Sequence, residues 1–255
     1  MGDMTSPPNC HACFDGMQHP FPFSVAFQPI ADVEAREIFA YEALVRGPNG
    51  ESAASVLTQL TEENRYAFDQ NSRVHAITTA VELGLLQTGA RLSINFMPGA
   101  VYNPVSCIQL TLETAQRCNL PVDRLIFEIT ENEEVIDKAH LRAIVDEYRR
   151  QGLKVALDDF GSGYSGLTLL ADVPVDHLKL DIGLIRDLPH RPTALTIINA
   201  VVALAAALGQ NIVAEGVETL AEYHAVRNCG IRYMQGHLFA KAGFETLPAV
   251  TWPAA

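Results

Sequence analysis

Acids and amides recur at the ends of apolar runs in this 255-residue chain. Glu42 and Arg46 lie in IFAYEALVR (38–46), Asn95 in RLSINF (91–96), and Glu128 in RLIFEIT (124–130) with Glu131 just beyond. Asp158 and Asp159 end the run that starts at Lys154, while Lys179 and Asp181 sit in HLKLD (177–181). Glu215 and Glu218 follow NIVA (211–214), and Gln235 follows Tyr233-Met234. If the ends of these runs meet, Glu42, Asn95, Glu128, Asp158, Asp159 and Glu215 bring six oxygen-bearing groups together, and such groups repel one another without cations. Hard divalent ions such as Mg2+ or Mn2+ take carboxylate and amide oxygens. Two such ions roughly 3.5–4 Å apart are the usual device for in-line displacement at a phosphodiester.

The stretch KVALDDFGSGYSGL (154–167) carries the sharpest version of this chemistry. Adjacent residues of a strand point to opposite faces. Asp158 and Asp159 therefore share one place only if one faces inward or the backbone breaks from strand geometry. Buried carboxylates need a compensating cation or hydrogen bonds, and the glycines that follow let a ligand approach the backbone closely. A strand exit with an Asp cap and a flexible turn would use the same residues. Other members of the set also have two readings. Glu42 or Glu128 could cap a following helix. Glu131 and Glu218 could only hold a loop or pair with a surface base. Arg46 could form a rim salt bridge or clamp a phosphate with its planar fork. Lys179, between Leu178 and Leu180, could be an ordinary buried ion pair. Asp181, His75 and His177 read as structural.

Eight strand-like runs must position these groups: 24–30, 38–46, 91–96, 124–130, 154–158, 177–180, 211–214 and 233–240. Only residues 31–37 join the first two, and a parallel crossover needs a dozen residues or more, so these two are expected antiparallel. Later connections are long and helical in pattern. Residues 52–87 predict two helices, with Val56, Leu57 and Leu60, then Val74, Ile77, Val81 and Leu85 at helical spacing. Residues 132–150 predict a helix capped by Asn132 and stopped at Gly152. Residues 193–208 are apolar nearly all round, which predicts a helix packed tightly between neighbours and stopped at Gly209. Strand and helix units in alternation argue for a parallel sheet with helices outside. The expected fold is α/β: a modified (β/α)8 TIM-type barrel with one antiparallel strand, in which the C-terminal ends of the parallel strands form the functional rim.

No repeat or linker divides the chain, so the expected organisation is an N-terminal arm over 1–23 and a barrel over 24–255. Within the arm, Cys10-His11-Ala12-Cys13 has the spacing of a zinc or redox pair, but no second pair follows and only His19 lies nearby. A net charge of −12 argues against a nucleic-acid polymer as partner. It also means that a phosphate ester would need metal cations between itself and an acidic site. The opening residues lack a basic start and an apolar core, so no secretory signal is expected. The longest apolar run, 194–208, is too short to span a bilayer. Five cysteines scattered along the chain do not form a disulfide framework. A reduced, cytoplasmic protein that does not enter a membrane is expected.

The chain resembles the EAL domain family of bacterial cyclic di-GMP phosphodiesterases. The resemblance rests on Glu42-Ala43-Leu44 within YEALVRG, together with FQPI (27–30), INF (94–96), FEITE (127–131), DDFGSGYSGL (158–167), LKLD (178–181), AEGVET (214–219) and MQG (234–236), in family order over residues 24 to about 242. It implies a barrel with an antiparallel strand and hydrolysis of cyclic di-GMP to linear pGpG with two Mg2+ or Mn2+ ions. By resemblance, Glu42, Asn95, Glu128 and Asp158 hold one ion, and Asp158, Asp159 and Glu215 the other. Lys179 orients or helps deprotonate the attacking water, and Gln235 supports it. Glu131 fixes the loop after Asp159, and Gln28, Arg46 and Asp181 face the substrate. A homodimer is also implied. The chain departs from the family pattern at His237, where Tyr is common, at Ala242, where Pro is common, at Gly166, and at Asn95-Phe96-Met97-Pro98 in place of NLSP. Members that have lost turnover act as cyclic di-GMP receptors or docking regulators, usually with a metal ligand missing; no matching position is missing here.

Overall fold

The first two apolar runs are buried on both faces along most of their length, as a barrel wall packed inside and out requires. The structure, a computed structural model, describes residues 21–130, 137–163 and 166–253. Its strands are β1 (Ser24–Asp32), β2 (Glu37–Arg46), β3 (Arg91–Asn95), β4 (Leu125–Thr130), β5 (Lys154–Phe160), β6 (His177–Leu180), β7 (Asn211–Ala214), β8 (Tyr233–Met234) and β9 (Gly243–Phe244). The short link after β1 folds it back on β2 as an antiparallel pair that sets Gln28 opposite Glu42. From β2 to β8 each strand is parallel to the next. The ring closes where Met234 of β8 pairs antiparallel with Ala31 of β1. The expected barrel of eight strands, with one running against the rest, is the observed one. β9 adds an antiparallel edge to β1 outside the ring.

Two apolar clusters fill the molecule. The larger lies between strands and helices and includes Phe27, Leu92, Phe127, Leu178 and Ala214. A small separate cluster of Ile30, Phe39, Ala40, Ile126, Ala156 and Val213 draws on five strands. Ala40, Ile126, Ala156 and Val213 each stand two residues before Glu42, Glu128, Asp158 and Glu215. Same-face spacing therefore stacks the acids directly above an apolar plug.

The helices differ from expectation in two places. The 52–87 segment does give two helices, Ala53–Leu57 and Arg65–Glu82, with a short 3-10 turn at Leu85–Gln87. The expected cap at Asn132 lies outside the described residues; the helix there is Lys138–Arg150, and its cap is Asp137, whose carboxylate accepts from the Ala139 and His140 N–H groups. The helix Pro192–Leu208 is not packed on all sides. Ala194, Ile198, Val201 and Ala205 face the barrel, whereas Ile197 and Leu208 are exposed. Apolar composition misleads here because the outward face has no neighbour among the described residues. Gly209 ends this helix in the left-handed region, as expected. Strand eight is also shorter than its apolar run. After Met234 the chain turns off at Gly236, where a Cβ would strike the backbone of Val217. The Cys10–Cys13 pair and His19 lie outside the described residues. Among the described residues no helix is long and apolar enough to cross a membrane.

Candidate metal centre

Parallel strands end on one rim, and there the structure gathers four acids around one lysine. Lys179 is 1% exposed. Its Nζ lies 2.7 Å from Glu215 Oε1, 2.9 Å from Glu128 Oε2, 2.9 Å from Asp158 Oδ1 and 3.5 Å from Glu42 Oε2. Glu42 is held from both sides: Gln235 Nε2 donates to Oε2 at 2.7 Å, and Asn95 Nδ2 donates to Oε1 at 3.4 Å. Oxygens of Glu42, Glu128 and Asp158 lie within 4.8 Å of one another, and so do those of Asp158, Asp159 and Glu215. Asp158 belongs to both groups.

The adjacent aspartates share the rim because the backbone leaves strand geometry between them. Asp159 adopts a left-handed φ of 55°, and the β5–β6 register shifts between Leu157 and Phe160. A bulge of this kind re-aims a side chain that regular alternation would send to the other face. Left-handed backbone is disfavoured for most side chains but is tolerated by Asp more readily than by others.

One cation among these acids does not balance them. Burial pushes the Glu128 carboxyl well above its ordinary range, and the charges of Glu42 and Asp158 add to this against the opposing pull of Lys179. Burial, with Asp158 and Glu42, pushes Glu215 up to about 8. Asp159 rises to about 6 through burial and then the nearby Asp158 and Asp181. Burial alone would depress Lys179, but Asp158, Glu128, Glu215 and Glu42 hold it well above its usual value, as an ammonium. Two buried oxygens, Asp158 Oδ1 and Gln235 Oε1, accept no well-formed hydrogen bond among the described residues. A cluster that retains protons and carries under-satisfied hard oxygens fits divalent cations, which replace those protons on binding.

A cleft of about 310 Å3 opens over the cluster, lined by Gln28, Glu42, Asp158, Asp159, Glu215 and Gln235 among others. A larger cavity of about 680 Å3 lies beside the helix Arg65–Glu82 and shares only Asn95 with the acid cluster. The paired acids line the smaller one. The remaining expected residues are distributed less centrally. Gln28 lines the cleft and donates to the Ala240 carbonyl at 3.1 Å. Arg46 turns back to the Val45 carbonyl at 2.7 Å and is not part of the acid cluster. Asp181 accepts from the Gly183 N–H at 2.8 Å, the structural role its position suggests, while its charge acts on Asp159. Glu218 pairs with Arg186 at 2.6 Å, at the edge of the cleft beside His237. Glu131 lies outside the described residues. The sequence reading missed Ser93, fully buried, whose hydroxyl donates to Glu128 Oε1 at 2.5 Å. Its spacing from Asn95 was the available signal, since residues two apart share a face.

A family model described as EAL domain matches residues 21–242. Among solved structures, the chain is similar to a standalone versatile EAL protein from Vibrio cholerae O395 in its c-di-GMP-bound form. The identity is 47% and the TM-score 0.88, over 92% of this chain and 98% of that one. It is also similar to Klebsiella pneumoniae BlrP1 in a manganese and cyclic diGMP complex, at 35% identity and a TM-score of 0.85, over 93% of this chain and 61% of that one. Among curated relatives, the antirepressor BluF of Escherichia coli K12, regulated by blue light and temperature, is 30% identical over 89% of this chain and 56% of its own length. The cyclic di-GMP phosphodiesterase PA2567 of Pseudomonas aeruginosa is 29% identical over 86% of this chain and 38% of its own. The chain thus spans about half or less of the length of these curated relatives.

Proposed function

The chain belongs to the EAL domain family, and on that premise we propose that it is a cyclic di-GMP phosphodiesterase that opens the cyclic dinucleotide to linear pGpG. The observation that carries the reading is the single buried Lys179 facing Glu42, Glu128, Asp158 and Glu215 beneath an open cleft. Glu42, Asn95, Glu128 and Asp158 would hold one Mg2+ or Mn2+, and Asp158, Asp159 and Glu215 a second. When bound, such ions lower the pKa of a water and offset charge on the phosphoryl oxygens.

The chain's own residues then have separable tasks. Four surrounding acids hold Lys179 as an ammonium before metal binds, and from there it orients or helps deprotonate the attacking water. Gln235 and Asn95 fix the rotamer of Glu42. Ser93 does the same for Glu128. Gln28, on the antiparallel strand opposite Glu42, stands at the cleft wall where the substrate would lie. Arg46 would have to leave the Val45 carbonyl to reach a phosphate. Attack by water breaks one P–O3′ bond, leaves a 5′-phosphate on one nucleoside, and frees the 3′-hydroxyl of the other, which takes up a proton. We place the protein in the cytoplasm and expect a homodimer, the exposed apolar face of Pro192–Leu208 being the feature that favours self-association.

The test is incubation of the purified protein with cyclic di-GMP and Mg2+, Mn2+ or EDTA, with nucleotides resolved by chromatography. Metal-dependent pGpG is expected. Binding of both metal and dinucleotide without product would refute turnover and leave a receptor.

A further inference from the structure

Behind the rim, on the outer side of the barrel wall, lies a second group of buried polar side chains that the proposed chemistry does not touch. Asp69 and Arg73, on the helix Arg65–Glu82, are 1% and 0% exposed. They pair through Arg73 Nη2 and Asp69 Oδ2 at 2.5 Å. The second carboxylate oxygen, Asp69 Oδ1, accepts from the backbone N–H of Met97 at 2.9 Å. Arg73 Nη1 donates to the hydroxyl of the fully buried Tyr148 at 3.1 Å. The guanidinium lies over the rings of Phe96 and Phe127, with its carbon 5.4 Å and 5.2 Å from the two centroids.

The sequence positions of these partners are the point. Phe96 directly follows Asn95, Met97 comes one residue later, and Phe127 directly precedes Glu128. Neighbours in a strand face opposite ways. The two rings therefore point outward to Arg73 from the same backbone that points Asn95 and Glu128 inward to the acid cluster. The two strand ends are also tied to each other, since the Phe96 N–H donates to the Glu128 carbonyl at 3.2 Å. A charged pair inside an apolar core is costly unless its geometry is well satisfied, and hydrophobic side chains could fill this space without that cost.

We propose that Asp69 and Arg73 are positioning residues: an outer clamp that fixes the ends of β3 and β4 so that Asn95 and Glu128 present their oxygens to a divalent cation. This rests on the proposed metal site. Asp69 sets the height of the β3 end through the Met97 N–H, and Arg73 sets the lateral spacing by lying across one ring from each strand. Losing Asp69 leaves the Met97 N–H without its acceptor and Arg73 without its counter-ion. The β3 end then moves toward whatever acceptor is available, and Asn95 moves with it.

The experiment measures Mn2+ binding to the full chain directly, by the electron paramagnetic resonance signal of free Mn2+, alongside thermal unfolding in EDTA. Substitutions of groups that orient metal ligands typically cost about 10- to 100-fold in affinity. Asp69→Ala is expected to weaken Mn2+ binding by about 10-fold. Asp69→Asn keeps an oxygen for Met97 and is expected to recover most of that loss even if it unfolds at a lower temperature. A folded Asp69→Ala protein that binds Mn2+ like the wild type overturns the clamp, and so does a pair of variants whose Mn2+ affinities fall equally. Should Asp69→Ala not fold, Arg73→Lys decides. It keeps the charge opposite Asp69 but removes the planar group from Phe96 and Phe127, so weaker Mn2+ binding supports the clamp and wild-type binding overturns it. Absence of Mn2+ binding by the wild type would instead remove the metal site itself, and the clamp with it.

Discussion

Replacing Lys179 with Met keeps most of the side-chain volume and removes the only cation in direct contact with Glu42, Glu128, Asp158 and Glu215 among the described residues. At an effective dielectric near 20, a unit pair about 3 Å apart is worth on the order of 5 kcal/mol before solvation is counted. Desolvation of each ion takes back several kcal/mol. The net loss on removing one partner of a buried pair is about 3–5 kcal/mol. For a chain of this size, with about 2 °C of midpoint per kcal/mol, that predicts a fall of about 6–10 °C. The assay is thermal unfolding of wild type and Lys179→Met in EDTA at pH 9, 7.5 and 6. Without the ammonium, the acids relieve their repulsion only by taking up protons. Glu215 sits at about 8 and Asp159 at about 6 even with Lys179 present. The deficit is therefore greatest at pH 9, where taking up those protons costs most, and shrinks toward pH 6. Saturating Mn2+ at pH 9 should restore part of it. Equal midpoints for the two proteins at pH 9 in EDTA would refute the electrostatic reasoning, whatever the effect on turnover.

Ser93→Ala removes the hydroxyl that donates to Glu128 at 2.5 Å; turnover with limiting Mn2+ should fall by about 10-fold and recover in part at high Mn2+, and an unchanged metal dependence would show that Ser93 only fills space. His177 is buried under the acid layer, and burial lowers its pKa to about 4. Below the unfolded value near 6.5 only the unfolded chain takes the proton, so stability present above pH 6.5 is lost as pH falls toward 4, by up to about 3 kcal/mol. His177→Gln should flatten that part of the stability profile in urea melts between pH 7 and 4.5; identical slopes for both proteins would contradict it.

Local pattern made much of this molecule legible. A seven-residue link is too short for a crossover, and β1 does run antiparallel to β2. Acids at the ends of apolar runs do meet on one rim, because parallel strands separated by helices can only bring their C-terminal ends to the same side. Gly209 marks a helix end because a left-handed residue is cheap only for glycine. Where local pattern failed, the deciding contact lay elsewhere in the chain. The helix Pro192–Leu208 is as apolar outside as inside, and composition carries no information about which face meets a neighbour. Strand eight stops at Met234 because Gly236 abuts Val217, a contact between the ends of β7 and β8 that neither run shows alone.

By itself, then, the sequence determined which acids and amides stand at the strand ends and in what order the strands deliver them, since period, link length and residue type are properties of neighbouring positions. Tertiary structure alone decided how those groups meet. The bulge that turns Asp159 toward Asp158, the ring of acids on Lys179, the Ser93–Glu128 bond and the Asp69 contact to Met97 all depend on how separate elements pack together. Lys179 and Glu128 are 51 residues apart and Gln235 and Glu42 are 193 apart, so their distances are set by the radius and register of the barrel. No stretch of chain short enough to read as a local pattern contains either pair.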